Sequence, residues 1–243
     1  SAFAQATFPE KEYEVYDSEV QCNTTTRAYD NLFSGMVDII FVAQPSKEQM
    51  EIAKASNLEL QLTPIGKEAF VFFVNSNNPV SEITTEQIQS IYSGKITNWK
   101  EVGGKNEKIR AFQRPDNSGS QTMLQKLMDG KNLMTPPKED VVKTMGGIIE
   151  QTASYRNYKN AIGYSFLFFA TQMVKDDKIK LLTVDGVYPD RDTIKSEKYP
   201  LSTDIYAVTV GKNRSPNVER LIEWILSPQG QYIVEKTGYT PLN

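Results

Sequence analysis

No histidine occurs in the 243 residues, and cysteine occurs once, as Cys22. The first absence removes Ser-His-Asp and Cys-His catalysis, together with every histidine-containing metal site. The second removes an intramolecular disulfide and cysteine-cluster metals. Neither sign of charge dominates. The 27 Lys and Arg stand against 30 Asp and Glu, so there is neither a basic footprint for nucleic acid nor a strongly acidic tail. The polar chemistry left is carboxylate, Arg and Lys, hydroxyl, amide and backbone. No pair of carboxylates at catalytic spacing stands out, and no nucleophile accompanies a base, so an enzyme is the least favoured class.

Long apolar runs are missing too. The longest, in YSFLFFATQMV, is interrupted by Ser165, Thr171 and Gln172. It falls short of the roughly 20 residues that cross a bilayer. No secretory leader is read at Ser1, so the residues given are not expected to address the protein anywhere by themselves. Scarce cysteine fits a cytosolic protein, and equally an exported one from an organism that does without disulfides. What is present suffices for a core: 39% apolar and 10% aromatic residues, far from a disordered composition.

Helical and strand signals alternate along the chain without internal repeats, the pattern of an α/β protein. Ser1–Ala6 reads as the tail of a helix and EYEVYDSEV as a strand. Asn23, Thr24 and Thr25 offer N-caps for a helix to about Ser34, which Gly35 ends. VDIIFVA (Val37–Ala43) reads as a buried parallel strand. Ser46 caps the next helix, with Gln49 at the capping-box position, and Leu58–Thr63 is a further strand. The strongest strand signal is AFVFFVN (Ala69–Asn75); a second such run, DIYAVTV (Asp204–Val210), comes much later. Between them lies a self-contained α/β pattern. It comprises a Thr84-capped helix to Tyr92, strand Ile109–Phe112, a helix from Ser120, a helix near Gly147–Tyr155, and strands Ala161–Tyr164 and Ile179–Val184. Helices Asn217–Leu226 and Gln229–Lys236 close the chain. This nesting predicts a discontinuous first lobe, residues 1–68 and 207–243, and an inserted second lobe, residues 69–206. Two neighbouring extended crossings would join them, with hinges near 67–72 and 202–207.

One segment concentrates anion chemistry: Arg114-Pro-Asp-Asn-Ser118-Gly119-Ser120-Gln121-Thr122, placed after a strand and before a helix. Gly119 has no side chain, so its backbone can approach a ligand closely. Free N–H groups and the helix dipole favour an anion at such a start. Ser118 and Ser120 add hydroxyls, Arg114 adds a planar fork of donors, and Asp116 is placed to brace Arg114. The plainer reading is a serine cap beside a solvated arginine, and the sequence leaves both open. A second hydroxyl-rich helix start, Asn23-Thr24-Thr25-Thr26-Arg27, reads by itself as a cap run. Both starts would lie outside the carboxyl ends of strands, where open α/β sheets bind ligands. Tyr155-Arg156-Asn157-Tyr158 reads as an arginine between packed tyrosines. Trp99, Trp224 and Phe166–Phe169 read as packing residues, and Cys22 as a small buried or half-buried side chain.

The stretch LTPIGKEAFVFFVNSNNPVSEITTEQIQSIYSGKITNWKEVGGKNEKIRAFQRPDNSGSQ closely resembles the substrate-binding proteins of Pst-type phosphate ABC importers. That family shows a run like "NPV…LT…QI…IY/FSGKITNW…VGG" followed by "R-x-x-x-S-G-T". Here the last motif reads Arg114-x-x-x-Ser118-Gly119-Ser120, with Ser for Thr, which keeps the hydroxyl. AIGYSF and WILSPQGQYIVEKTGYTPL also match, so the resemblance covers essentially the whole chain. It implies a class II periplasmic-binding-protein fold, in which two α/β lobes joined by two crossing strands close on a ligand. It implies phosphate held by Arg114, Ser118, the Gly119 N–H and Ser120 from the second lobe, and by Thr25 from the first. It further implies a monomer without cofactor or metal that delivers its ligand to a membrane permease. The expected location is the outer face of the membrane, lipid-anchored, or the periplasm.

Two positions depart from the pattern. In the family a Gly-rich/Thr loop after the first strand donates N–H groups to phosphate, and this sequence starts just past that point. The first lobe is therefore expected to lack its first strand, leaving an unpaired edge beside Val37–Ala43. The family aspartate that accepts the proton of hydrogen phosphate aligns with Ala43, next to Gln44. Rejection of a fully deprotonated oxyanion depends on a buried acceptor that would go unpaired, so sulfate or an organic phosphate stands as an alternative ligand. The alternative from another class is a surface signalling or adhesion module that keeps the fold.

Overall fold

The computed structural model describes residues 23–116, 118–153, 159–173, 176–211 and 215–242. The expected helix tail at Ser1–Ala6, the strand EYEVYDSEV, Cys22 and Tyr155–Tyr158 lie outside the described residues. The helices are α1 Thr25–Phe33, α2 Lys47–Ala55, α3 Thr85–Tyr92, α4 Gly119–Leu127, α5 Met145–Ala153, α6 Arg191–Lys195, α7 Pro216–Leu226 and α8 Pro228–Lys236. The strands are β1 Ile40–Val42, β2 Leu60–Asn75, β3 Glu82–Ile83, β4 Arg110–Ala111, β5 Ala161–Phe166, β6 Ile179–Leu181, β7 Thr183–Val184 and β8 Ser202–Val210. The chain divides into one unit of Ser1–Gly66 with Asp204–Asn243, and a second of Lys67–Thr203.

Local chemistry sets most helix starts. Ser46 and Gln49 form a reciprocal capping box on α2, and Thr84 with Gln87 does the same on α3. Thr24 caps α1, its hydroxyl accepting from the Arg27 N–H at 3.3 Å. Gly35 follows that helix with φ at 72°, a conformation that favours glycine.

In the first unit the sheet order is β1-β8-β2. The buried parallel strand expected at Val37–Ala43 is instead three residues long and antiparallel, with Ile40 opposite Val208 and Val42 opposite Tyr206. Its neighbour is the returning strand β8, which runs the other way, and Phe41 is 49% exposed. Two strands were expected at Leu58–Thr63 and Ala69–Asn75, but β2 runs through both as one strand of 16 residues. Pro64 does not break it, because proline's fixed φ suits an extended chain and its missing N–H lies at an exposed position.

Helices α7 and α8 close this unit. Ser227 links them, capping α8 by accepting from the Gly230 N–H at 3.3 Å. Gln231 Nε2 donates to the Ile65 and Ile225 carbonyls, each at 3.0 Å, tying α8 to both β2 and α7. Gly230 is required by space. A Cβ there would lie 2.2 Å from the Trp224 carbonyl oxygen and 2.5 Å from the Ile225 Cα, both backbone atoms. In an ordinary helix Gly→Ala gains up to about 1 kcal/mol. Here Gly230→Ala is expected to cost about 2 kcal/mol, since the two helices must part. Urea unfolding reads the sign directly, and a stabilised variant would contradict this packing.

In the second unit β2 pairs antiparallel with β5, Phe70 opposite Phe166 and Phe72 opposite Tyr164. β4 adds in parallel to the far side of β5, Arg110 opposite Ala161. Ala69–Asn75 itself pairs with β5 and β6, and β8, which carries the run Asp204–Val210, is the other neighbour of β2 in the sheet order, so the two runs lie on adjacent strands as expected. The strand expected over Ile179–Val184 splits, β6 pairing with β2 and β7 pairing in parallel with β3. The core is aromatic, with Phe70, Phe72, Phe73, Tyr92, Trp99, Phe112 and Tyr164 all buried. Trp99 packs as expected, and its indole N–H donates to the Asn160 carbonyl at 2.7 Å.

Candidate anion-binding site

The end of β4 and the start of α4 meet at one corner of the second unit. The Phe112 N–H donates to the Ile162 carbonyl at 3.1 Å, extending the β4–β5 pairing. The Gln113 N–H donates to the Asp140 carbonyl, and the Val142 N–H donates to the Gln113 carbonyl. Asp140 is held by Arg110, whose Nε donates to its carboxylate at 2.9 Å. The chain thus leaves the sheet at a fixed point and turns into α4 at Ser118.

Ser118, not Ser120, is the N-cap. Its hydroxyl accepts from the Gln121 N–H at 3.4 Å, while Gly119 and Ser120 are buried in the first helical turn. Four residues earlier, the half-buried Arg114 sends its guanidinium to the same place. Nη1 donates to the Ser120 hydroxyl at 3.5 Å and Nη2 to the Lys143 carbonyl at 3.2 Å. Its Nε is buried and has no hydrogen-bond partner among the described residues. Burial pulls the guanidinium pKa below its usual range. Desolvation has already raised the energy of this cation, so an anion placed against it would recover Coulomb energy in a low-dielectric setting. The helix dipole favours the same sign of charge.

Arg114, Ser118, Gly119 and Ser120 are therefore brought together. Thr25 belongs to the first unit, where it is the half-buried first residue of α1. Asp116 does not brace Arg114 as expected; its carboxylate accepts from Gln125 Nε2 at 3.0 Å, in the second turn of the helix. Ala43 carries no acceptor side chain, and its carbonyl accepts from the Tyr29 hydroxyl at 2.9 Å.

Sequence reasoning missed a buried polar chain behind Arg114. The Arg114 N–H donates to Gln121 Oε1 at 3.0 Å and to the Tyr164 hydroxyl at 2.9 Å. The Tyr164 hydroxyl donates in turn to Gln121 Oε1. Gln121 Nε2 donates to Gln113 Oε1 at 3.1 Å, and Gln113 Nε2 to the Met134 carbonyl at 2.9 Å. The available signal was a glutamine at each end of the Arg114–Ser120 segment, one just after a strand and one in the first turn of a helix, since buried amides demand partners.

Among the described residues no group of three or more His, Cys, Asp or Glu could hold a metal ion. Among the same residues no helix is long and apolar enough to cross a membrane.

Two α/β units, the second inserted into the first, are the organisation of binding proteins whose domains close around a ligand. The chain belongs to the PBP superfamily: the family described as "PBP superfamily domain" matches residues 1–229. It is 31% identical over 183 residues to the phosphate-binding protein PstS of Borreliella burgdorferi, covering 73% of this chain and 64% of that one. It is 29% identical over 228 residues to the phosphate-binding protein PstS of Bacillus subtilis, covering 93% and 71%. The chain thus spans about two thirds of the length of these relatives. A solved structure of a putative phosphate ABC transporter substrate-binding protein from Clostridium perfringens, with bound phosphate, shares the fold. Its TM-score is 0.74 at 24% identity, over 100% of this chain and 97% of that one.

Proposed function

We propose that this protein captures inorganic phosphate, or a small oxyanion of the same geometry, for the membrane permease of an ABC importer. It acts by binding alone, without covalent chemistry. The observation that carries the reading is the Arg114 guanidinium, buried at Nε without a partner and set against the first turn of α4. The names of the relatives supply the ligand, phosphate. We assign Arg114, Ser118, the Gly119 N–H and Ser120 to the anion from the second unit, and the Thr25 hydroxyl from the first. We assign hinge roles to residues near 67–72 and 202–207. The protein works as a monomer on the outer face of the membrane, lipid-anchored, or in the periplasm.

Isothermal titration with phosphate, sulfate and phosphate esters tests the ligand. Heat with phosphate at micromolar or lower concentration supports the proposal; no heat with any of them favours a signalling or adhesion role. Sulfate belongs in the series because position 43 offers no carboxylate to meet the proton of hydrogen phosphate. Arg114→Ala removes a charge-assisted bond and is expected to weaken phosphate binding by about 1.5–3 kcal/mol, roughly tenfold to hundredfold. An unchanged dissociation constant would mean that the anion sits elsewhere.

A further inference from the structure

The donor chain behind Arg114 runs in one direction. The Arg114 N–H gives to the Tyr164 hydroxyl, which gives to Gln121 Oε1. Gln121 Nε2 gives to Gln113, and Gln113 gives to the Met134 carbonyl. Donor and acceptor counts leave little choice. A tyrosine hydroxyl has one proton, so accepting from Arg114 and donating to Gln121 sets its orientation. Gln121 must then present its oxygen to Arg114 and Tyr164 and its amide nitrogen to Gln113. Gln113, Gln121 and Tyr164 are 4%, 2% and 0% exposed, so no water competes from bulk solvent.

The geometry matters because of what the chain connects. Gln121 lies in the first turn of α4, and its own N–H is held by the Ser118 cap. Its side-chain oxygen grips the backbone from which the Arg114 side chain departs. The cationic half of the anion site and its backbone half are thus fixed to each other through one amide. Tyr164, from the middle of β5, fixes both to the sheet.

We infer that Tyr164 and Gln121 are positioning residues for anion binding: without touching the ligand, they set the distance between the Arg114 guanidinium and the N-terminus of α4. This rests on the assignment of Arg114 to the ligand. The charge-assisted pairing made by a guanidinium is sharply dependent on geometry, so a loosened mooring is felt in affinity.

The test is a double-mutant cycle on the full chain with inorganic phosphate as the probe. Tyr164→Phe keeps the ring in its aromatic cluster and deletes only the hydroxyl. It is expected to raise the dissociation constant about tenfold. In an Arg114→Ala background the same change is expected to have less than a twofold effect, because the residue being positioned is gone. Gln121→Met, close in shape, should behave alike. A merely structural role would lower the melting temperature in both backgrounds and leave affinity unmoved. If Arg114→Ala weakens binding while Tyr164→Phe and Gln121→Met stay within twofold of the parent, the positioning role is overturned and the ligand site stands. If Arg114→Ala itself is silent, or phosphate does not bind, both fall.

Discussion

Phe72→Ala is expected to destabilise the second unit by about 3–5 kcal/mol, the range for emptying a fully buried aromatic position. Phe72 is 0% exposed. Its ring lies 5.1 Å from Phe70 in an edge-on arrangement, 5.9 Å from Tyr92 and 6.0 Å from Tyr164. These neighbours sit on β2, α3 and β5, so no single element can move to refill the gap. The backbone adds a second constraint: the Phe72 carbonyl accepts from the Leu182 N–H at 2.8 Å, pinning the strand in register. Phe72→Leu, which keeps most of the volume, is expected to cost less than about 1.5 kcal/mol. Urea midpoints with unchanged slopes would measure both. The alanine variant should also bind phosphate more weakly, because Tyr164 leans on Phe72 and moors Arg114. A Phe72→Ala midpoint within about 1 kcal/mol of the parent would contradict this account of the core.

The expectations that held over local distances held for a local reason. The capping boxes of Ser46 with Gln49 and Thr84 with Gln87 close within three residues, so the sequence contains both partners side by side. Arg114, Ser118, Gly119 and Ser120 are likewise near one another along the chain, and a turn after a strand suffices to gather them. Where a partner lies far away, the pattern misleads. VDIIFVA looks like a buried parallel strand because it is apolar apart from Asp38, but its direction depends on β8, a strand well over a hundred residues later. Leu182 shows the same limit. Its N–H still pairs with Phe72, while the next residue, Thr183, pairs with Ser81 and ends one ladder to begin another. No periodicity within IKLLTV encodes that change of partner.

The site divides along the same line. Asp116 is two residues from Arg114 and looks like its natural brace, yet Gln125 reaches it along the helix. The backbone of Arg114 is held instead by Gln121 and by Tyr164, which comes from a strand 50 residues away. Tyr164 was visible in the sequence only as an aromatic in a strand, and aromatic strand residues are usually packing. Here it packs against Phe70, Phe72 and Tyr92 and also carries a hydroxyl that must be satisfied. The polar duty of a buried tyrosine becomes legible only once its neighbours are known.

Glu68 provides the clearest expected dependence on pH. It lies in β2 and is 5% exposed. Its carboxylate accepts from the Ala69 N–H at 2.8 Å and from the Phe168 N–H at 3.3 Å. Burial pushes its pKa from 4.5 up to about 7; the N–H groups of Ala69, Phe168 and Leu167 pull the other way without offsetting it. Between those two values the folded protein holds a proton that the unfolded chain has released. Folding then takes up a proton, so stability is greatest below pH 4.5 as far as this group is concerned, and falls as pH rises towards 7. The full difference is about 3 kcal/mol, taking ~1.4 kcal/mol for each pKa unit. Glu68→Gln keeps the shape and an acceptor oxygen and cannot ionise. Its stability relative to the parent should rise across that window and level off above it, leaving the variant more stable at pH 8. Other carboxylates titrate equally in both proteins and cancel in the difference. Urea unfolding of parent and variant at half-unit steps from pH 4 to 8 gives that difference curve. A flat curve would mean that Glu68 ionises as readily in the folded protein as in the unfolded chain, with water reaching its carboxylate.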